Sequence, residues 1–135
     1  MYSVAKPVGA LLEIRIRSPL TMEDTMALFK QIYKAMPRGV MSRVIVDARG
    51  LRIVDPDVVD AVIVMMRQDN PWVERNAFLM PDSALIGIQS ERMLKELGTS
   101  NRRSFHARTA AEEWLGEVCT VEERARLSRF LDETT

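Results

Sequence analysis

The sequence contains one cysteine and one histidine, and each shortage excludes a class of function. A single thiol, Cys119, cannot form a disulfide within the chain and suits a reducing compartment. His106 has no serine or cysteine partner in an evident motif, so the spacing gives no support for a catalytic triad. A Gly-rich phosphate loop, a CxxC pair and an HExxH motif are also missing from the sequence. We therefore expect no catalytic residue set and no cofactor.

The chain also lacks an excess of charge and any long apolar run. Its 19 Lys and Arg residues balance 19 Asp and Glu residues, which gives no electrostatic attraction to nucleic acid or to an anionic membrane. No stretch approaches the ~20 apolar residues of a membrane span, and residues 1–7 lack the apolar core of a signal peptide. We expect a cytoplasmic protein with no nucleic-acid partner and no membrane span. The 135 residues fit a single domain over 1–135.

Apolar patterns with periods of two and of about 3.6 residues alternate along the chain, which predicts strands alternating with helices. An α/β fold follows, with a central mixed sheet of four or five strands and about four to five packed helices. The predicted strands cover 2–6, 11–16, 43–46, 76–80 and 103–107. The predicted helices begin at Thr21, Asp55, Thr109 and Thr120, and a further helix ends at Leu97 with Gly98 as its cap.

The first helix carries large apolar residues at positions i, i+4, i+7 and i+11, which lie on one helix face. These are Met22, Met26, Phe29 and Tyr33, and Leu28, Ile32 and Met36 widen the same face. We interpret this face as part of the core, because a stripe of this spacing more commonly packs inside a protein than binds a cofactor.

The helix that follows residue 55 has clear start signals and an unusual composition. Asp55 suits the N-cap, Pro56 suits the first helical position, and Asp57 complements the helix dipole. From there to Met66 the helix is apolar except for Asp60, so one sheet cannot bury all of it. Either neighbouring helices cover the remaining side, or that side forms an exposed patch that binds another molecule.

Residues 44–64 read VIVDARGLRIVDPDVVDAVIV, and this segment resembles the central motif of STAS domains. These domains include the anti-sigma-factor antagonists and the tails of sulfate transporters. In the family, a strand ends in an aspartate-leucine turn, and an Asp-Ser-x-Gly motif then opens a helix. Asp47 matches the first aspartate, Gly50 and Leu51 match the turn, and Asp55 matches the aspartate of the second motif.

The segment from Phe105 to Leu115 is similar to the SpoIIAA-like branch of the family, which is often grouped with the CRAL-TRIO lipid-binding domains. The resemblance extends over nearly the whole chain and implies a SpoIIAA/STAS-like sheet.

The sequence departs from the family at the phosphorylation site. Pro56 stands where the antagonists have the serine that a partner kinase phosphorylates, and Val58 stands at the family's glycine. Neither residue has a hydroxyl group, so the phosphorylation switch of the family cannot operate at this site. Asp57 carries a fixed negative charge there, and we hypothesise that it locks the surface in one charge state. The alternative is that Asp57 only complements the helix dipole.

The resemblance implies a regulatory protein–protein interaction domain, since partners of STAS domains dock on this helix. A regulatory kinase or an anti-sigma-like factor is the kind of partner that the family suggests. The implied partner-binding residues are Asp55, Pro56, Asp57, Asp60, Ala61 and Val64. The alternatives are a binder or sensor of a small apolar or lipid ligand, in the CRAL-TRIO-related manner, and a homodimer subunit.

Two other groups of charged residues are weaker candidates for a site. Asp47, Asp55 and Asp57 could meet at the carboxyl ends of strands and hold Mg²⁺. Such sites also need a lysine and a hydroxyl residue, which the sequence does not offer at recognisable places, so we expect no metal. The basic spot around Arg102 and Arg103 is interpreted as a solvated rim.

Overall fold

The computed structural model describes residues 1–133, in which strands and helices alternate in the predicted manner. The strands are β1 (Tyr2–Val8), β2 (Leu11–Arg17), β3 (Ser42–Gly50), β4 (Val73–Leu79) and β5 (Arg102–Phe105). The helices are α1 (Met22–Ala35), α2 (Pro56–Asp69), α3 (Ala84–Leu97), α4 (Arg108–Gly116) and α5 (Val121–Asp132), and a short 3-10 turn covers Asn70–Trp72. The predicted α/β class, with a mixed sheet of five strands, is confirmed.

Each strand of the sheet lies beside the strand that precedes it in the chain, in the order β1-β2-β3-β4-β5. β1 is antiparallel to β2, whereas β2 to β5 are all parallel. The antiparallel pair is joined by a hairpin at Gly9, whose φ of 54° favours glycine. The parallel strands are joined by α1, α2 and α3, as parallel pairs require crossover connections.

The two faces of the sheet are covered by different helices. Side chains alternate along a strand, so even-numbered residues such as Leu12 and Val46 pack with α1, α2 and α3. Odd-numbered residues such as Leu11 and Ile45 pack with α4 and α5. In β2 and β3, an even residue number therefore indicates a side chain that faces α1, α2 and α3, and an odd number indicates one that faces α4 and α5.

The predicted core face of α1 is confirmed in part. The buried residues are Thr25, Leu28 and Ile32, whereas the predicted core residues Met22, Met26 and Tyr33 are exposed and Phe29 is half-buried. The prediction is confirmed for Leu28, Ile32 and Met36, which are buried. It is wrong for Met22, Met26 and Tyr33, because the side of the helix with Leu28 and Ile32 faces the sheet. Thr25 fits in the core since its hydroxyl donates a hydrogen bond to the Thr21 carbonyl oxygen at 2.7 Å.

The predicted capping residues are confirmed in α3 and α5 and wrong in α4. Thr120 and Glu123 form a reciprocal capping box, with N–H to oxygen distances of 2.8 and 3.1 Å. Gly98 caps α3 with a φ of 63°. α4 begins at Arg108, after Ala107, so Thr109 lies inside the helix and caps nothing.

β3 is longer than predicted, since it continues through Gly50 instead of ending at Val46. Gly50 pairs with Arg17 of β2, so the predicted turn at Gly50 belongs to the strand.

Within residues 1–133 the longest helices have 14 residues, and none has the length and apolar character needed to cross a bilayer.

Candidate functional site

The predicted start of α2 is confirmed, but Asp55 caps it in an unexpected way. Asp55 is the N-cap residue, and its carbonyl oxygen accepts hydrogen bonds from the N–H groups of Val58 and Val59 at 3.0 and 3.1 Å. Its carboxylate makes no capping hydrogen bond. Asp55 and Pro56 are both exposed at the N-terminal end of the helix. The carboxylate of Asp55 is therefore free to contact another molecule.

The other four predicted partner-binding residues share the outer face of α2. Asp57, Asp60, Ala61 and Val64 follow the spacing i, i+3, i+4 and i+7, which places them in one stripe. Ala61 is half-buried, and the rest are exposed, with Val64 at 54% of its area. We call this stripe, together with Asp55 and Pro56, the α2 outer surface.

The opposite side of α2 is buried, and its flanks are partly covered by the neighbouring helices. Val58, Val59, Ile63 and Met66 are in the core. Val62 and Met65 are half-buried against the core. Neighbouring helices thus cover part of the apolar surface of α2, and Val64 remains outside this cover.

Side-chain contacts from α3 hold the α2 outer surface in place. The Nη2 of Arg92 donates a hydrogen bond to the Oδ1 of Asp60 at 2.8 Å, and its Nε donates to Glu96 at 3.0 Å. One turn earlier, the Nε2 of Gln89 donates to the Val54 carbonyl oxygen at 2.9 Å, in the loop before α2. The loop, α2 and α3 are therefore joined by polar contacts at two places.

Three exposed apolar residues lie around these contacts, and they were not predicted from the sequence. They are Ile53, Leu85 and Ile88, with Ile53 and Ile88 at 68% and 66% exposure. Leu85 precedes Gln89 by four residues and Ile88 precedes Arg92 by four, so each lies one helical turn from a contact with α2 or its loop. We call these three residues the apolar rim. Leu85 and Ile88 could have been found because they fall outside the buried stripe of α3.

Asp47 lies on the opposite face of the sheet, away from Asp55 and Asp57. Its carboxylate accepts hydrogen bonds from the Nε of Arg15 at 3.2 Å and the Nε of Arg49 at 2.9 Å. Burial raises the pKa of Asp47, but the hydrogen bonds from Arg49 and Arg15 outweigh burial and hold the pKa below its usual value. The three aspartates do not converge, and residues 1–133 contain no group of three or more potential metal ligands.

The same two arginines connect Asp47 to the end of α5. Arg15 donates to the Phe130 carbonyl oxygen at 2.7 Å, and Arg49 donates to the Leu131 carbonyl oxygen at 2.9 Å. Asp47 therefore helps to anchor α5 on the sheet, a contact between distant residues that the sequence motif does not indicate.

Glu123, in the first turn of α5, is a second buried carboxylate. It accepts hydrogen bonds from the N–H groups of Thr120 and Ala10, at 2.8 and 2.7 Å. Burial raises the pKa of Glu123, but these two hydrogen bonds and the charge of Arg43 lower it by more, so the pKa lies below its usual value. The carboxylate thus ties the start of α5 to the hairpin between β1 and β2.

A cavity of about 120 Å³ lies between the sheet and the three helices α1, α2 and α3. Its wall is mostly aliphatic and aromatic, with side chains from β2, β3 and β4 on one side and from the helices on the other. The polar residues in the wall are Asp69, Asn76, Gln89, Ser90 and Arg102. The cavity could not be predicted from the sequence, because its wall residues come from seven separate elements.

Arg102 is buried in the cavity wall, with 7% of its area exposed, so the predicted solvated basic rim is wrong at this residue. Its guanidinium donates to the Oδ1 of Asn76 at 2.7 Å, the Oδ1 of Asn70 at 2.8 Å and the Met66 carbonyl oxygen at 3.2 Å. Burial lowers the pKa of Arg102 to about 10, against the opposing charge of Asp69, so the guanidinium is still charged at neutral pH. No carboxylate of residues 1–133 lies within 4.0 Å of it.

Two features of the described residues have the geometry to bind another molecule. One is the α2 outer surface with its apolar rim, and the other is the cavity with its buried guanidinium. No protein-family model matches this chain, and neither a curated protein nor a solved structure matches it.

Proposed function

We propose that this chain is a non-enzymatic regulatory domain that binds a partner protein through the α2 outer surface and the apolar rim. The observation that carries the proposal is the exposure of four apolar side chains on three elements that contact one another, namely Ile53 in the loop before α2, Val64 on α2, and Leu85 and Ile88 on α3. Exposed apolar side chains that group together and are bordered by charged residues are typical of protein–protein interaction sites.

Charge on this surface indicates the chemistry of the partner. Asp55 and Asp57 are exposed at the start of α2, and among residues 1–133 no cation forms an ion pair with either. Asp60 is also exposed, but Arg92 already pairs with it. A partner surface with an apolar centre and one or two basic residues at its edge would complement this arrangement.

The polar contacts between α2, α3 and the preceding loop favour binding. They hold the loop at Val54 and the helix at Asp60 before a partner arrives. A surface that is already ordered loses less conformational entropy when it binds. The α2 outer surface therefore has the rigidity expected of a docking site.

The resemblance to STAS domains supports the same helix as the docking site and suggests a regulatory kinase or an anti-sigma-like factor as the partner. Pro56 removes the phosphorylation switch of that family from this position. Asp57, in the first turn of α2, keeps a negative charge where the family gains one by phosphorylation. The partner would then meet a surface whose charge does not change.

Affinity capture from the source cell, followed by binding measurements on the partner it identifies, tests the proposal. Val64→Arg and Ile88→Arg each place a charge in the proposed contact and leave the Asp60–Arg92 pair intact. Ala125→Arg is the matched control, because Ala125 is exposed on α5 at the other face of the sheet. We expect both surface variants to weaken binding by about tenfold or more, as for central interface residues, and the control to bind like wild type. Equal binding by all three variants would refute the proposed site.

The charge-lock hypothesis has a separate test. Asp57→Asn removes the charge and Asp57→Ser restores a hydroxyl, while the backbone start of α2 at Asp55 and Pro56 stays the same. We expect both variants to bind the partner more weakly than wild type. If both bind as wild type does, Asp57 only complements the helix dipole.

A second candidate function is the binding of a small apolar ligand, and the cavity favours it. Its volume of about 120 Å³ is close to that of an engineered apolar cavity of roughly 150 Å³ that binds benzene. Native mass spectrometry of the purified chain tests this function, since a bound small molecule would appear as added mass on the folded protein.

A further inference from the structure

We infer that the cavity binds a small monocarboxylate, with the carboxylate on Arg102 and the apolar body in the space between the sheet and the helices. The inference rests on the second candidate function, small-ligand binding, and does not depend on partner docking. It specifies the chemical class of the ligand, which the cavity volume alone does not.

The size and lining of the cavity define the apolar part of the ligand. Side chains such as Leu12, Val44 and Phe78 from the sheet and Ile32 and Val59 from the helices line it. Water gains little in such a space because it finds few hydrogen-bond partners. By comparison with the roughly 150 Å³ cavity that holds the six carbons of benzene, 120 Å³ has room for about five carbon atoms.

The state of Arg102 defines the charged part of the ligand. A guanidinium has five N–H hydrogens, and three hydrogen bonds connect Arg102 to Asn76, Asn70 and Met66. All three acceptors are neutral oxygens, and two hydrogens remain without a partner among residues 1–133. Asp69, in the same wall, acts on Arg102 through its charge but makes no hydrogen bond or ion pair with it. The two remaining N–H groups are therefore left for a carboxylate, which matches the geometry of a guanidinium.

Arg102 also has a structural role, which any test must separate from ligand binding. It binds the Met66 carbonyl oxygen near the C-terminal end of α2, where a cation is stabilised by the helix dipole. A purely structural Arg102 would give the cavity no preference between a charged ligand and a neutral ligand of the same shape. This preference is therefore the property to measure.

Phe29 of α1 and Val62 and Met65 of α2 are wall residues that are only half-buried, and the proposed entrance for the ligand lies between these two helices. Val62→Phe adds volume at this place and leaves Arg102 unchanged. Val64→Phe makes the same change two residues later, at an exposed residue outside the cavity wall. The two variants are a matched pair, one that obstructs the cavity and one that does not.

Isothermal titration of the full chain with three probes tests the inference. Hexanoate has both a carboxylate and a five-carbon body, hexan-1-ol has the same body without the charge, and acetate has the charge without the body. We expect hexanoate to bind about tenfold or more tightly than hexan-1-ol, because a hydrogen bond to a charged group contributes at least one tenfold step in affinity. Acetate should show no measurable binding, Val62→Phe should abolish the binding of hexanoate, and Val64→Phe should preserve it.

Each contrary result has a distinct meaning. Equal affinity for hexanoate and hexan-1-ol would overturn the role of Arg102 and leave the small-ligand function standing. Failure of both probes to bind would overturn the inference and the small-ligand function together. Binding of hexanoate that survives Val62→Phe would place the probe outside the cavity and also overturn the inference. Arg102→Lys should reduce the preference for hexanoate, and if that variant does not fold, the three probes on wild type decide.

Discussion

The ion pair between Glu13 and Arg126 gives a quantitative test of how α5 is held on the sheet. Glu13 lies in β2 with 2% of its area exposed. The Nε and Nη2 of Arg126 donate to its two carboxylate oxygens at 2.6 and 2.8 Å. Arg126→Met removes both hydrogen bonds and leaves the carboxylate buried without its ion-pair partner.

The expected loss follows from the burial of the pair. Removing one partner of a buried ion pair costs about 3–5 kcal/mol of unfolding free energy. The Arg126 side chain is 20% exposed, so water can reach part of the site in the variant, and we expect about 3 kcal/mol. Replacing both residues, as in Glu13→Leu/Arg126→Met, leaves no unpaired charge and should restore stability to within about 1 kcal/mol of wild type.

Urea denaturation followed by circular dichroism measures these free energies, with the slope of the transition checked for constancy. Arg129→Met is the control, since Arg129 is an exposed arginine on α5 with no ion pair among residues 1–133. The control should change stability by no more than about 0.5 kcal/mol. A single Arg126→Met variant as stable as the control, or a double variant no more stable than the single, would refute the reasoning.

Three further predictions concern protonation, a thiol and a surface ion pair. The pKa values of Asp47 and Glu123 are lowered in the folded state, so the unfolded state takes up protons first as the pH falls. The free energy of unfolding should be constant above about pH 5.5 and decrease below about pH 4.5, and a flat urea midpoint between pH 5 and pH 3 would contradict this. Burial, assisted by the charge of Glu123, raises the pKa of Cys119 to about 11, so iodoacetamide at pH 8 should alkylate the folded protein far more slowly than the urea-unfolded protein. The pair of Asp60 and Arg92 is exposed at both ends, so Arg92→Ala should leave the urea midpoint close to that of wild type, and a clear drop in the midpoint would show that α3 depends on this pair.

Features that depend on neighbouring residues in the chain were predictable from the sequence. The capping box at Thr120, the helix stop at Gly98 and the helix start at Pro56 each depend on a few consecutive residues. The same is true of the spacing that places Asp57 and Val64 on one face of α2. Local chemistry therefore predicted the order of the elements and the residues that share one face of α2, and it left open whether that face is exposed.

Features that depend on distant contacts were not predictable. Which part of the wide apolar face of α1 is buried depends on how the helix rotates against the sheet, and the sequence pattern does not determine this rotation. Arg102 is buried because α2 ends beside β5, 36 residues away from Met66 in the sequence. The two arginines that pair with Asp47 also reach α5, more than 80 residues later, and the apolar rim is assembled from a loop and a separate helix.

The order of the strands has a consequence for how the protein forms during synthesis. Because each strand lies beside its predecessor, a growing chain can extend the sheet one strand at a time as it leaves the ribosome. The face of β2 that carries its odd-numbered residues stays uncovered until α5 is made, because the ion-pair partner of Glu13 is Arg126, 113 residues later. A chain that stalls before residue 121 therefore exposes Leu11, Ile45 and the carboxylate of Glu13, which α5 buries in the finished domain, and chaperones and proteases act on such exposed surfaces.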